Sequence, residues 1–81
     1  PDFDRLREML RERFGDRWFT IEEAERFTLL ETAFRDNGHL KTPTLKPAEQ
    51  DGLLGVERPP GKKRGSFGPG TRMRFVSGRD G

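Results

Sequence analysis

The sequence predicts an α+β domain of three helices and a small antiparallel sheet, with a long basic loop joining the last two strands. Three observations carry this. Apolar residues recur at helical spacing in the first third of the chain, between recognisable caps. Residues 52–81 hold eight of the ten glycines, too many for helix. Inside that stretch, two short alternating runs flank a segment rich in Gly, Pro and basic side chains.

The elements follow in order. Phe3, Leu6, Leu10 and Phe14 form one helical face, with Met9 beside it. Asp2 stands at the N-cap and Gly15 at the C-cap, so the first helix covers Phe3–Phe14. Its outer face sets Asp4 against Arg7 and Glu8 against Arg11, the spacing of a solvated helix surface. Arg17-Trp18-Phe19 reads as a short strand or extended link, with Trp18 read as core or helix–hairpin packing in preference to a stacking platform. Thr20 and Glu23 then match a capping box. The second helix points Ile21, Ala24 and Phe27 inward, with Thr28 beside them, and ends near Leu30 or Thr32.

Asp36-Asn37-Gly38 signals a turn. Thr42-Pro43 suits the cap and first position of a third helix, and Asp51-Gly52 suits its end. The third helix is therefore expected over 43–50, after an irregular turn from His39, with Leu45 inward and Pro47 a source of kinking. Residues 53–58 and 71–76 read as strands. In the second, Met73 and Phe75 face inward while Arg72 and Arg74 face out. The connection 59–70 is too long for a tight hairpin. This order matches a winged helix-turn-helix, with 59–70 as the wing, a domain spanning 1–76 and a frayed tail at 77–81.

Composition narrows the function classes. The chain has 81 residues, 30% hydrophobic and 37% charged, with a mean hydropathy of −0.95. Seven Phe and one Trp supply the area for a small core. A domain this short has no room for a deep substrate pocket. Cysteine is absent and histidine occurs once, so thiolate chemistry and an imidazole metal site are excluded. No apolar run approaches the roughly 20 residues that span a bilayer. The first residue is Pro rather than Met, so a piece of a longer, cytoplasmic protein is expected. No enzyme activity, cofactor, small-molecule substrate or membrane contact is expected of it.

Charge is unevenly placed. The net charge is +2, yet residues 1–36 hold 7 basic and 10 acidic side chains, and residues 37–81 hold 9 basic and 4 acidic. The C-terminal half is thus the candidate surface for a polyanion. In a winged helix, the third helix and the wing face the nucleic acid. On the third helix the candidates are Lys41, Thr42, Thr44 and Lys46, opposed by Glu49 and Asp51. On the wing they are Lys62, Lys63 and Arg64, with Arg72 and Arg74 extending the charge along a strand. Phe67 has two readings, a wedge against bases or local packing of the loop. Gly61-Lys62-Lys63-Arg64-Gly65-Ser66 has the composition of a phosphate loop without its spacing. His39 reads as a turn or capping residue.

Trp18-Phe19-Thr20-Ile21-Glu22-Glu23 and Phe27-Thr28-Leu29-Leu30-Glu31-Thr32-Ala33-Phe34 resemble the C-terminal winged helix of the three-Cys-motif partner proteins. His39-Leu40-Lys41, Leu45-Lys46-Pro47-Ala48-Glu49 and the run Arg64-Gly65-Ser66-Phe67-Gly68-Pro69-Gly70-Thr71-Arg72-Met73-Arg74-Phe75 are similar to the same family. The resemblance spans about residues 17–75. It implies a bacterial protein with a larger N-terminal domain, thought to act with a cysteine-motif partner in phage or mobile-element contexts. It supplies no catalytic residue. Two functions are therefore expected in competition. One is binding of nucleic acid, duplex DNA foremost, through phosphate contacts from the wing. The other is docking of a protein, either the parent domain or the cysteine-motif partner, in which the acidic face of the first two helices takes part.

Overall fold

The computed structural model describes residues 2–76, so the expected tail at 77–81 lies outside the described residues. Helix α1 is Phe3–Phe14, with the Asp2 carboxylate accepting from the Arg5 amide and Gly15 ending it at φ 63°. Leu6, Leu10 and Phe14 are buried along one face, as the spacing requires. Strand β1 is only Phe19–Thr20. Thr20 both closes this strand and caps helix α2, Ile21–Glu31. Its hydroxyl accepts from the Glu23 amide at 3.0 Å, and Glu23 Oε1 accepts from the Thr20 amide at 2.8 Å. One residue thereby fixes the angle between strand and helix.

The third helix departs from expectation. It starts at Asp36, where the sequence signals a turn, with a wide π-helical stretch Asp36–Leu45 that passes into the α-helical Lys46–Gln50. The two together are called α3 below. Thr42 and Pro43 are therefore inside a helix, not at its cap. Proline explains the widening. A Pro43 in regular α-helix would clash with the His39 carbonyl four residues back and leave it without a donor. Here that carbonyl accepts from the Thr44 hydroxyl at 2.6 Å. The Lys46 amide likewise reaches five residues back, to the Lys41 carbonyl. The true N-cap is Arg35, whose amide donates to His39 Nδ1 at 3.0 Å while the His39 amide donates to the Arg35 carbonyl. His39 is a capping residue, and its ring lies between Phe3 and Phe34.

Strands β2, Leu54–Glu57, and β3, Arg72–Phe75, pair antiparallel, and β1 joins the far side of β3, giving the order β1-β3-β2. The register sets Phe19 and Val56 beside Met73, and Thr20 and Glu57 beside Arg72. Hydrogen bonds from Ile21 to Thr71 and from Val76 to Leu53 extend both ladders by a residue. Met73 and Phe75 face the helices, and Arg72 and Arg74 face outward. The core joins all layers. Phe14 stacks on Phe19 at 4.2 Å between centroids, Phe19 lies 5.8 Å from Phe75, and Phe27 meets Phe14 edge-on at 6.0 Å. Leu40, Leu45 and Ala48 of α3 close the other side. The result is an α+β protein with the layout of a winged helix.

Candidate nucleic-acid interface

The wing is built from turns rather than from loose chain. The amides of Lys62, Ser66 and Thr71 donate to the carbonyls of Pro59, Lys63 and Gly68, three residues back in each case. The third residue of each turn is a glycine with φ near +86° to +88°, namely Gly61, Gly65 and Gly70. No residue other than glycine has positive φ among the described residues. These are three type II turns in succession, and the pairs Pro60-Gly61 and Pro69-Gly70 are the sequence signature of that geometry. Lys62 and Lys63 stand between the first and second corners, and Arg64 stands on the second; all three are exposed.

A pair of side chains latches this wing to α3. Arg58, just after β2, donates through both terminal nitrogens to the two Glu49 oxygens, at 2.8 and 2.5 Å. Its Nε donates to the Ser66 carbonyl at 2.7 Å, and its guanidinium lies 5.2 Å from the centroid of the Phe67 ring. Both charged side chains are 11% exposed. The hydrogen bonds from Arg58 hold the Glu49 carboxyl below its ordinary pKa of 4.5; burial works against them, and the Arg58 charge, the Gly65 amide and the Arg64 charge reinforce them. Glu49 is not the free acid that its place in the sequence suggests. Its charge is matched inside the fold, and it anchors the basic wing. Phe67 is buried under the same guanidinium, which settles its role as packing.

The expected contact residues fall into separate groups. Lys46 runs beside the wing, its Cε 3.4 Å from where a Cβ on Gly65 would stand. With Lys62, Lys63 and Arg64 it forms a basic set at the junction of α3 and wing. None of the four has a carboxylate partner among the described residues. Lys41 is paired instead with Glu25 of α2 at 3.4 Å. Thr42 is exposed on the wide part of α3. Thr44 is corrected: it is 3% exposed and its hydroxyl is spent on the His39 carbonyl, so it offers nothing to a ligand. Arg72 is bound to Glu57 at 2.7 Å, and both Arg72 and Arg74 lie over Trp18. Trp18 is itself corrected, since it is 40% exposed on the outside of the sheet rather than in the core.

Sequence reasoning misses the latch. Arg58 reads as the end of a strand and Glu49 as an obstacle, and no spacing rule pairs residues nine apart across a helix end and a strand end. Among the described residues, no His, Asp or Glu group of three or more could hold a metal ion, and no helix is long and apolar enough to cross a membrane. The fold and this surface define a small α+β winged-helix layout with a turn-built, basic wing. No family model, curated protein or solved structure matches the chain.

Proposed function

We propose that the chain is a nucleic-acid-binding module, not an enzyme, and that it holds a larger cytoplasmic protein on duplex DNA. One observation carries this reading: four uncommitted cations, Lys46, Lys62, Lys63 and Arg64, sit on a wing that is locked to α3 by the Arg58–Glu49 pair. A preset array of cations meets a phosphate backbone without first ordering a loop, so less entropy is lost on binding. Sequence reading by bases plays little part, because Thr44 is buried and Lys41 is engaged with Glu25. The resemblance to the three-Cys-motif partner proteins supplies the larger protein and its bacterial setting.

Fluorescence anisotropy with a random-sequence duplex at two salt concentrations tests this. Binding should weaken with salt. The combined variant Lys62→Ala, Lys63→Ala, Arg64→Ala should flatten the salt slope by about one unit for each phosphate it no longer neutralises. A folded domain that fails to bind at low salt would sink the reading. A second reading, a protein-docking module, is favoured by Leu29 and Leu30, which are 63% and 59% exposed side by side on α2. In that case the parent domain or the cysteine-motif partner would cover them.

A further inference from the structure

The outer face of the sheet plays no part in the wing contacts, and its composition is unusual. Arg74 lies opposite Gly55 of β2, and Trp18 immediately precedes β1, whose Phe19 pairs with Met73 on the other side of β3. Contact of the Arg74 guanidinium with the Trp18 ring carries this face towards β1. Trp18 is the sole tryptophan of the chain. Among the described aromatic residues it alone is exposed, while every Phe is buried or half-buried. The Arg72 and Arg74 guanidiniums stand over its ring, 4.9 and 5.4 Å from the centroid, so a stacking partner would take the ring surface they leave exposed. Arg72 is already matched by Glu57, and Arg74 has no carboxylate partner among the described residues. Gly55 leaves the far end of this face open: a Cβ there would meet only the Arg74 carbonyl and a Val76 methyl, both at 3.8 Å.

A flat face with one exposed indole and one unmatched guanidinium suits a particular ligand chemistry. The cation calls for an anion. The ring calls for a planar partner, and stacking against a nucleobase needs no hydrogen-bond code. In a duplex the base faces are already stacked on one another, so an indole lying on a sheet cannot reach them. Resting on the nucleic-acid reading above, we propose that the outer face of the sheet binds single-stranded nucleic acid, a base stacking on Trp18 and a neighbouring phosphate pairing with Arg74. The chain then has two surfaces of different preference, the wing for duplex backbone and the sheet for an unpaired strand. Such a pair of surfaces fits a junction between duplex and single strand.

The test uses the full chain with a labelled oligothymidylate of about 10 nucleotides, within the usual footprint of such sites, and a duplex probe in parallel. Trp18 emission reports on the site directly. It should be quenched saturably by the single strand. Trp18→Ala should weaken single-strand binding about fivefold or more, as removal of one stacked base would, and should affect duplex binding less. Arg74→Ala should weaken single-strand binding and lower its salt slope by about 0.7. Circular dichroism checks the fold of both variants. If Trp18→Ala unfolds, the parent's own emission and the exposed-site variant Arg74→Ala decide. Unchanged Trp18 emission at saturating single strand, or parental affinity in the folded variants, would overturn the sheet proposal even where duplex binding persists. Absence of binding to either probe would overturn both readings.

Discussion

At the scale of single residues, several polar groups are matched inside the fold. Glu49 is the main case. Its carboxyl titrates below 4.5 in the folded state, because the charged form accepts two hydrogen bonds from Arg58. Folding therefore favours the deprotonated form. The resulting stability is complete above pH 4.5 and is lost as pH falls through the depressed folded value. Glu49→Gln should lower unfolding stability by about 2–4 kcal/mol at pH 7, because Arg58 is left largely buried without its counter-charge. Urea midpoints should show this deficit shrinking in acid, where the parent carboxyl is protonated too. An equal deficit at acid and neutral pH would contradict the account. Thr44 is a second case: Thr44→Val keeps the shape but removes the hydroxyl that donates to the His39 carbonyl, at a cost of about 1–2 kcal/mol by the same measurement.

At the scale of elements, the wing and α3 each adapt to proline and glycine in their own way. In the wing, proline and glycine specify successive corners, so a stretch that looks like a flexible tether is a folded strut. Gly70 shows the constraint. Its φ is +88°, and an added Cβ would stand 2.8 Å from the Pro59 ring. Gly70→Ala should cost about 1–3 kcal/mol, combining the left-handed backbone penalty with the forced shift of Pro59. Hydrogen exchange should show the change as faster opening at the Lys62 and Thr71 amides, which close the first and last corners. In α3, proline does not break the helix but widens it. Partnering of the freed carbonyl by Thr44 is what keeps the widened turn closed.

At the scale of the whole molecule, a single core has to hold a chain only 30% hydrophobic. The line of rings from Phe27 through Phe14 and Phe19 to Phe75 crosses α2, α1, β1 and β3 in turn. Helices and sheet therefore share their largest buried groups and should unfold together. Trp18 emission reads the sheet and far-UV circular dichroism reads mainly the helices, so their urea transitions should coincide. Separate midpoints would show that the layers are energetically independent.

Local chemistry makes much of this fold legible. The cap at Asp2, the box formed by Thr20 and Glu23, and the alternation from Thr71 to Val76 are set by neighbours within four residues, and each reappears in the structure. So does the order of helices and strands, because hydrophobic period and turn residues are local properties of the chain. Of the candidate interface, the basic identity of Lys46, Lys62, Lys63 and Arg64 is legible, and its geometry is not. The start of α3 is misplaced from sequence because Pro43 signals a helix cap whenever its missing amide is judged alone; the π-helical widening, the Thr44 hydroxyl and the burial of Leu40 and Leu45 accompany an interior proline here. Trp18 reads from sequence as core or helix–hairpin packing, yet it is exposed beside the sheet, under two arginines from β3. By itself the sequence determined the order of helices and strands, the bounds of α1, and where positive charge collects. Tertiary structure alone decided which charges are matched and which remain free, because Glu49 and Arg58, Glu25 and Lys41, and Glu57 and Arg72 meet only when separate elements are brought together.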